Sequence, residues 1–140
     1  MKKEQIEKVL RLTPVVYAGT FIRSTKHGIG VTEMFKGFAK DLWNQPLVYI
    51  DCTQSDIDEV ALMLEKSDKS TPVVYFIDSI EKANDDFRRF LFRTFSINRD
   101  ECINNDSRVF YHINLCEDNF FMDNWDEWVT DHSVHYNVEE

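Results

Sequence analysis

The sequence predicts an α/β three-layer sandwich on a mainly parallel five-stranded sheet, and three features lead there. Apolar runs rich in β-branched and aromatic residues alternate with stretches of helical spacing, which is the signature of strand–helix–strand units. PVVYAG is apolar at consecutive positions, as expected of a strand covered by helices on both faces. LVYI and VVYFI each close on an acid, Asp51 and Asp78. In an open parallel sheet, ligands bind outside the carboxyl ends of the strands, so both acids fall at the functional edge.

The elements follow in order. EQIEKVLRL places Ile6, Val9 and Leu10 at helical spacing, and Pro14 ends that helix. PVVYAG is the first strand. VTEMFKGFAKDLW carries Met34, Phe35, Phe38, Ala39 and Leu42 on one side, giving a second helix. PLVYID is the second strand. SDIDEVALMLEKS opens with Ser55 as N-cap and Asp58 as its capping-box acid, then sets Ile57, Val60, Ala61 and Leu64 on one face. PVVYFID is the third strand and the most β-like segment. A helix over 83–95 starts from Asn84 with two acids in its first turn. RVFYHIN is the fourth strand, the run 118–131 holds a short helix bearing Trp125 and Trp128, and SVHYNV closes the sheet. No repeat or linker divides the chain, so residues 1–140 are expected to form one domain.

Charge is unevenly spread. Of the net −9, residues 1–108 contribute about −1, while 109–140 hold eight acids and no lysine or arginine. That third would repel phosphate backbones, which argues against direct nucleic-acid binding and favours a basic protein partner or simply a solvated face. No apolar run approaches the ~20 residues of a membrane span, and the polar start MKKEQIEK lacks a signal-peptide core, so a soluble cytoplasmic protein is expected. Cys52, Cys102 and Cys116 form no CxxC pair, in keeping with free thiols in a reducing compartment.

HGIGVTEMFKGFAK, residues 27–40, has the outline of a phosphate-gripping loop entering a helix, with Gly28, Gly30 and Thr32 in place. A short glycine turn before a helix reads equally as plain structure. The surrounding order adds weight. VLRLTPVVYAG followed by GIGVTEMFKGFAKDL resembles the opening of the AAA+ ATPase core, particularly its MoxR-like branch. PVVYFIDSIEKANDDFRRFLFRTF is similar to the Walker B segment of that family, RVFYHIN to its sensor-1 strand ending in Asn114, and DEWVTDHSVHYNV to its closing turn and last core strand.

The resemblance implies a P-loop NTPase fold in which Thr32 and Asp78 would hold magnesium and Asn114 would face the nucleotide. It also marks departures. Val31 stands where the phosphate-binding lysine would be, Ser79 where the water-activating glutamate would be, and His132 where the arginine finger would be. Gly19 matches the first loop glycine, which makes the loop about six residues longer than the family's through TFIRSTKH, and the helical lid is absent. An arginine finger contributes ~10³–10⁵ in rate and a general base ~10²–10⁴, so hydrolysis is expected to be negligible. Binding is a separate matter: Lys26, Arg23 or His27 could replace part of the lost charge. No cofactor is expected, with weak ATP–magnesium binding left open.

The expected function is therefore a catalytically inactive, lidless AAA+-like interaction module that binds or regulates an AAA+ ATPase or a replication or remodelling machine, with no direct nucleic acid or membrane contact. The small size is compatible with a phage origin. Phe120, Phe121, Asp123, Trp125, Asp126 and Trp128 form the candidate partner face, because exposed aromatics among acids suit hot spots; the same cluster reads as core. Competing readings are a weak nucleotide sensor or divergent NTPase, an acidic nucleic-acid mimic, and a redox-dead thioredoxin-like domain suggested by LVYIDCTQSDIDEVA and STPVVYFID. His132 and His135 have HxxH spacing with Cys116 as a third ligand, but residues three apart on a strand face opposite ways. No Ser/His/Asp arrangement follows from spacing alone.

Overall fold

The computed structural model describes residues 1–25, 30–114, 122 and 124–139. Among the described residues, six α-helices and five strands follow one another as α1 (Lys3–Leu12), β1 (Thr20–Ser24), α2 (Val31–Trp43), β2 (Leu47–Asp51), α3 (Ile57–Glu65), β3 (Val74–Asp78), α4 (Asp85–Phe92), α5 (Arg99–Cys102), β4 (Arg108–Asn114), α6 (Glu127–His132) and β5 (Val134–Val138). A 3-10 turn, Ile80–Lys82, precedes α4, and a π-helical turn, Arg93–Ile97, extends it.

All strands are parallel, in the order β2-β3-β4-β1-β5. Parallel neighbours need right-handed crossovers, so moving outward from β1 to β2 and moving back put helices on opposite faces. The packing shows this division. On one face Ile6 and Leu10 of α1 and Val31, Phe35, Phe38 and Ala39 of α2 pack on Ile22, Phe76 and Phe110. On the other, Val60 of α3, Phe87, Leu91 and Phe92 of α4 and Val129 of α6 cover Phe21, Ile77 and Tyr111. Each buried Leu, Ile or Phe of these clusters contributes about 1.5–3 kcal/mol of transfer free energy, which is why helix faces and strand alternation agree.

The first strand is not where the sequence places it. PVVYAG is irregular: Val15 and Tyr17 are exposed, and TFIRS is the strand. Two arginines hold the irregular segment off the sheet, Arg108 donating to the Thr13 carbonyl at 2.8 Å and Arg99 to the Tyr17 carbonyl at 2.6 Å. Gly19 then turns into β1 at φ 105°, where an added Cβ would lie 2.9 Å from the Tyr111 ring.

Smaller corrections have local causes. The N-cap of α3 is Asp56, which accepts from the Glu59 N–H, and not Ser55. The helix expected over 83–95 is capped by Asn84 but leaves α-geometry after Phe92. Helix α6 holds Trp128 and excludes Trp125, because Asp126 caps it. Residues 118–121 and 123 of that stretch lie outside the described residues.

Candidate functional site

Strand alternation brings the site together. Ile22, Phe76 and Phe110 face α2, so residues two further along, Ser24, Asp78 and His112, share that face at or near the carboxyl ends of β1, β3 and β4. Tyr49 of β2, stacked on Phe76 at 6.0 Å, lies alongside. Thr32 comes from the first turn of α2, whose N-cap Gly30 takes φ 81°, a left-handed geometry that favours glycine.

These five side chains form one hydrogen-bonded network. His112 Nδ1 lies 2.7 Å from Asp78 Oδ1, and its Nε2 lies 2.6 Å from Ser24 Oγ. Asp78 Oδ2 accepts from Tyr49 Oη at 2.6 Å and from Thr32 Oγ1 at 3.0 Å. Ser24, His112 and Asp78 are 1%, 2% and 6% exposed. Burial alone would push the Asp78 carboxyl up, but the bonds from His112, Tyr49 and Thr32 outweigh it and hold it below the usual carboxylate range. Tyr49 is pushed up, by desolvation first and then by Asp78.

Ser24, His112 and Asp78 thus stand in the order of a nucleophile, a base and an orienting acid. Ser24 Oγ has almost no surface through which a substrate could reach it, so the line is a tie across three strands. Nothing in the sequence spacing announces it. The legible signal is that inward-facing positions at or near the carboxyl ends of three buried strands are all polar.

A second carboxyl meets the same edge. Ser79, at the position of the missing glutamate, is left-handed at φ 57° and turns the chain so that Glu81 reaches the end of β4. Glu81 Oε1 accepts the Asn114 N–H at 2.9 Å, while Oε2 is buried with no hydrogen-bond partner among the described residues. Desolvation raises the Glu81 pKa. Sequence reasoning missed this residue because a glutamate three positions beyond Asp78 belongs to no expected motif.

The remaining expected residues fall as follows. Thr32 and Asp78 meet directly, and Asn114 reaches the edge through its backbone. Lys26, His27 and Gly28 lie outside the described residues. The expected six-residue insertion is corrected: TFIRS is β1, so Thr25 to Thr32 has the G-x-x-x-x-G-K-[ST] length with Thr25 at the first position and Val31 at the seventh. Arg23 belongs to β1, on the face opposite Ser24, and cannot serve from a loop. Val31 is 2% exposed and packs in the cluster of Ile6 and Leu10.

On the partner face, Trp125 is 8% exposed, with Arg88 4.9 Å from its ring and Phe92 at 5.8 Å. Asp126 caps α6, and Trp128 is 41% exposed and stacks on His132 at 4.8 Å. Phe120, Phe121, Asp123 and Cys116 lie outside the described residues. His132 and His135 bond to the Trp128 and Thr130 carbonyls. The arginines after β3 pair within their helix, Arg88 with Asp85 and Arg89 with Asp86.

Thr32 Oγ1 and the Asp78 carboxylate are oxygen donors of the kind magnesium takes, but in this structure they are bonded to protein. A magnesium ion needs near-octahedral oxygen ligands at about 2.0–2.1 Å. Thr32 and Asp78 instead face each other, and both Asp78 oxygens are already hydrogen-bonded to protein. No described helix is long and apolar enough to cross a membrane.

No protein-family model and no curated protein matches the chain. Among solved structures it is similar to Thermotoga maritima RuvB, a Holliday junction branch migration motor, at TM-score 0.65 and 13% identity, over 100% of this chain and 45% of RuvB. It is also similar to C. elegans PCH-2, at TM-score 0.56 and 16% identity, over 97% of this chain and 40% of PCH-2. The chain therefore spans less than half the length of either protein. Both are AAA+ ATPases, and the chain has the α/β core fold that they share.

Proposed function

We propose that the chain is a catalytically silent AAA+-like core that works through protein contact, engaging an ATPase or another macromolecular machine. The observation that carries this reading is the direct bond of Thr32 to Asp78, with His112 and Tyr49 bonded to the same carboxylate. A metal would have to compete with hydrogen bonds to a charged carboxylate, each of about 1.5–3 kcal/mol. Val31 in the apolar core supports the same reading, since a lysine there would have to leave its present packing. The MoxR-like assignment and the cytoplasmic location belong to this proposal as well.

A basic surface on the partner suits the acid-rich C-terminal third, with Trp128 as its exposed aromatic. The test has two parts. Phosphate release from ATP with magnesium is expected to equal that of an Asp78→Ala control, and immobilised chain is expected to retain an oligomeric ATPase that Trp128→Ala releases. Turnover above the control would overturn the silent reading, and retention that ignores Trp128 would overturn the partner face.

A second reading, a weak nucleotide sensor, is favoured by the family-like length from Thr25 to Thr32 and by the Glu81 oxygen that has no partner among the described residues. Calorimetric titration with ATP and magnesium separates the two.

A further inference from the structure

We propose that the exposed stripe of α6 receives an arginine side chain from a basic segment of a protein partner, its guanidinium on the Trp128 indole and its N–H groups on the Glu127 and Asp131 carboxylates. The inference rests on the reading of this face as a partner surface and names the group that the surface recognises. It does not depend on the partner being an ATPase.

The stripe follows from helical spacing. Val129 is wholly buried and fixes which side of α6 meets the core. Positions 127, 128, 131 and 132 then share the side turned to solvent, and all four are exposed. Trp128 is 41% exposed and held in place: His132 stacks on the indole at 4.8 Å and 22°, and its Nδ1 donates to the Trp128 carbonyl at 2.8 Å. An aromatic anchor already fixed in the free chain loses little entropy on docking.

The other two indoles of the chain show what such a ring carries. Trp43 has the Arg108 guanidinium 4.8 Å from its ring centre, and Trp125 has that of Arg88 at 4.9 Å. Both lie inside the ~6 Å over which an aromatic face attracts a cation. Arg88 also donates to Asp85 Oδ1 at 2.6 Å, so one guanidinium meets an indole and a carboxylate at once. Trp128 differs. Among the described residues no lysine or arginine stands over its ring, and residues 109–140 contain neither.

Charge selects the occupant. The Glu127 and Asp131 carboxylates, about one helical turn apart, enter no ion pair among the described residues, whereas Asp85 and Asp86 are taken by Arg88 and Arg89. Their charges therefore remain for a partner. A guanidinium suits this set better than an ammonium, because it is planar, weakly hydrated, stacks on aromatic faces and donates to two carboxylate oxygens in parallel. The same acids repel phosphate, which points to a protein and not to a nucleic acid.

Titration of the isotope-labelled full chain with hexa-arginine, hexa-lysine and hexa-citrulline peptides tests the assignment, read at the indole N–H signals in a proton–nitrogen correlation spectrum. The Trp128 signal, identified by its loss in Trp128→Leu, is expected to shift and saturate with hexa-arginine while those of Trp43 and Trp125 stay. Hexa-lysine is expected to bind about fivefold more weakly or worse, and hexa-citrulline not measurably. Trp128→Leu, read at the backbone amides of α6, and Glu127→Gln with Asp131→Asn are each expected to weaken hexa-arginine roughly tenfold. Asp58→Asn with Glu59→Gln, which removes two exposed acids from α3, should leave it unchanged. Equal affinity for arginine and lysine, or an equal loss in the α3 variant, would reduce the contact to overall charge and overturn the proposal, as would a Trp128 signal that does not move. If Trp128→Ala releases a bound ATPase yet hexa-arginine moves nothing on α6, the partner surface stands and the arginine assignment falls. If hexa-arginine binds as expected and no ATPase is retained, the assignment stands and that partner falls.

Discussion

Asp78 Oδ1 lies 2.7 Å from His112 Nδ1, with both side chains almost wholly buried. This contact fixes the carboxylate in the centre of the functional edge, and Ser24, Tyr49 and Thr32 complete the ring of donors and acceptors around it. Asp78 thereby ties β1, β2, β3, β4 and α2 together.

The pairing sets a stability prediction. His112→Ala leaves a buried carboxylate short of a donor and is expected to cost about 3–5 kcal/mol, the range for breaking a buried pair from one side. Asp78→Asn with His112→Ala is expected to cost less than the sum of the single changes, because both remove the same contact. Urea unfolding of the four proteins closes the cycle, and strict additivity would contradict the coupling.

The two carboxyls predict opposite pH behaviour. The Asp78 pKa is lowered in the folded chain, so its contribution is present above the ordinary carboxylate pKa near 4 and is lost as pH falls through the folded value. The Glu81 pKa is raised by desolvation, so it penalises the fold once pH rises through its folded value. Glu81→Gln is expected to stabilise the chain at pH 7, with the gain vanishing in acid, whereas Asp78→Asn is expected to flatten the loss of stability below pH ~4. Urea midpoints measured across the acid range check both signs.

Much of the fold was legible because packing repeats itself in sequence. RVFYHIN is β4 from end to end, and the acids closing LVYID and VVYFID do sit at the carboxyl edge. PVVYAG misled because apolar character alone cannot distinguish a buried strand from a protruding segment. What decides the matter is Arg99, some eighty residues away, whose partners are backbone carbonyls and so leave no trace in residue type. For the same reason the Ser24–His112–Asp78 line was invisible: its members meet through register across β1, β4 and β3.

Arg99 carries its own prediction. It is fully buried and donates to carbonyls of Val16, Tyr17, Asn105 and Ser107, joining the segments that lead into β1 and β4. Arg99→Met orphans these carbonyls and is expected to cost more than about 3 kcal/mol. Arg99→Lys should rescue little, because an ammonium cannot reproduce the planar fork. Full rescue by lysine in urea unfolding would show that charge, and not the fork, matters.

Restoring the expected loop lysine should not restore chemistry. Val31 is 2% exposed against Ile6 and Leu10, so Val31→Lys sets a charge against apolar neighbours and is expected to destabilise the chain by several kcal/mol. Its phosphate release from ATP should stay at the level of the wild type. A rise in turnover with retained stability would mean that the loop, and not the Asp78 network, limits the site.

Calorimetric titration of the wild-type chain with ATP and magnesium tests the central claim most directly, because it asks whether the Asp78 network yields to a metal–nucleotide complex. No heat beyond dilution up to millimolar nucleotide is the predicted result. A saturating isotherm that disappears in Asp78→Ala would contradict it.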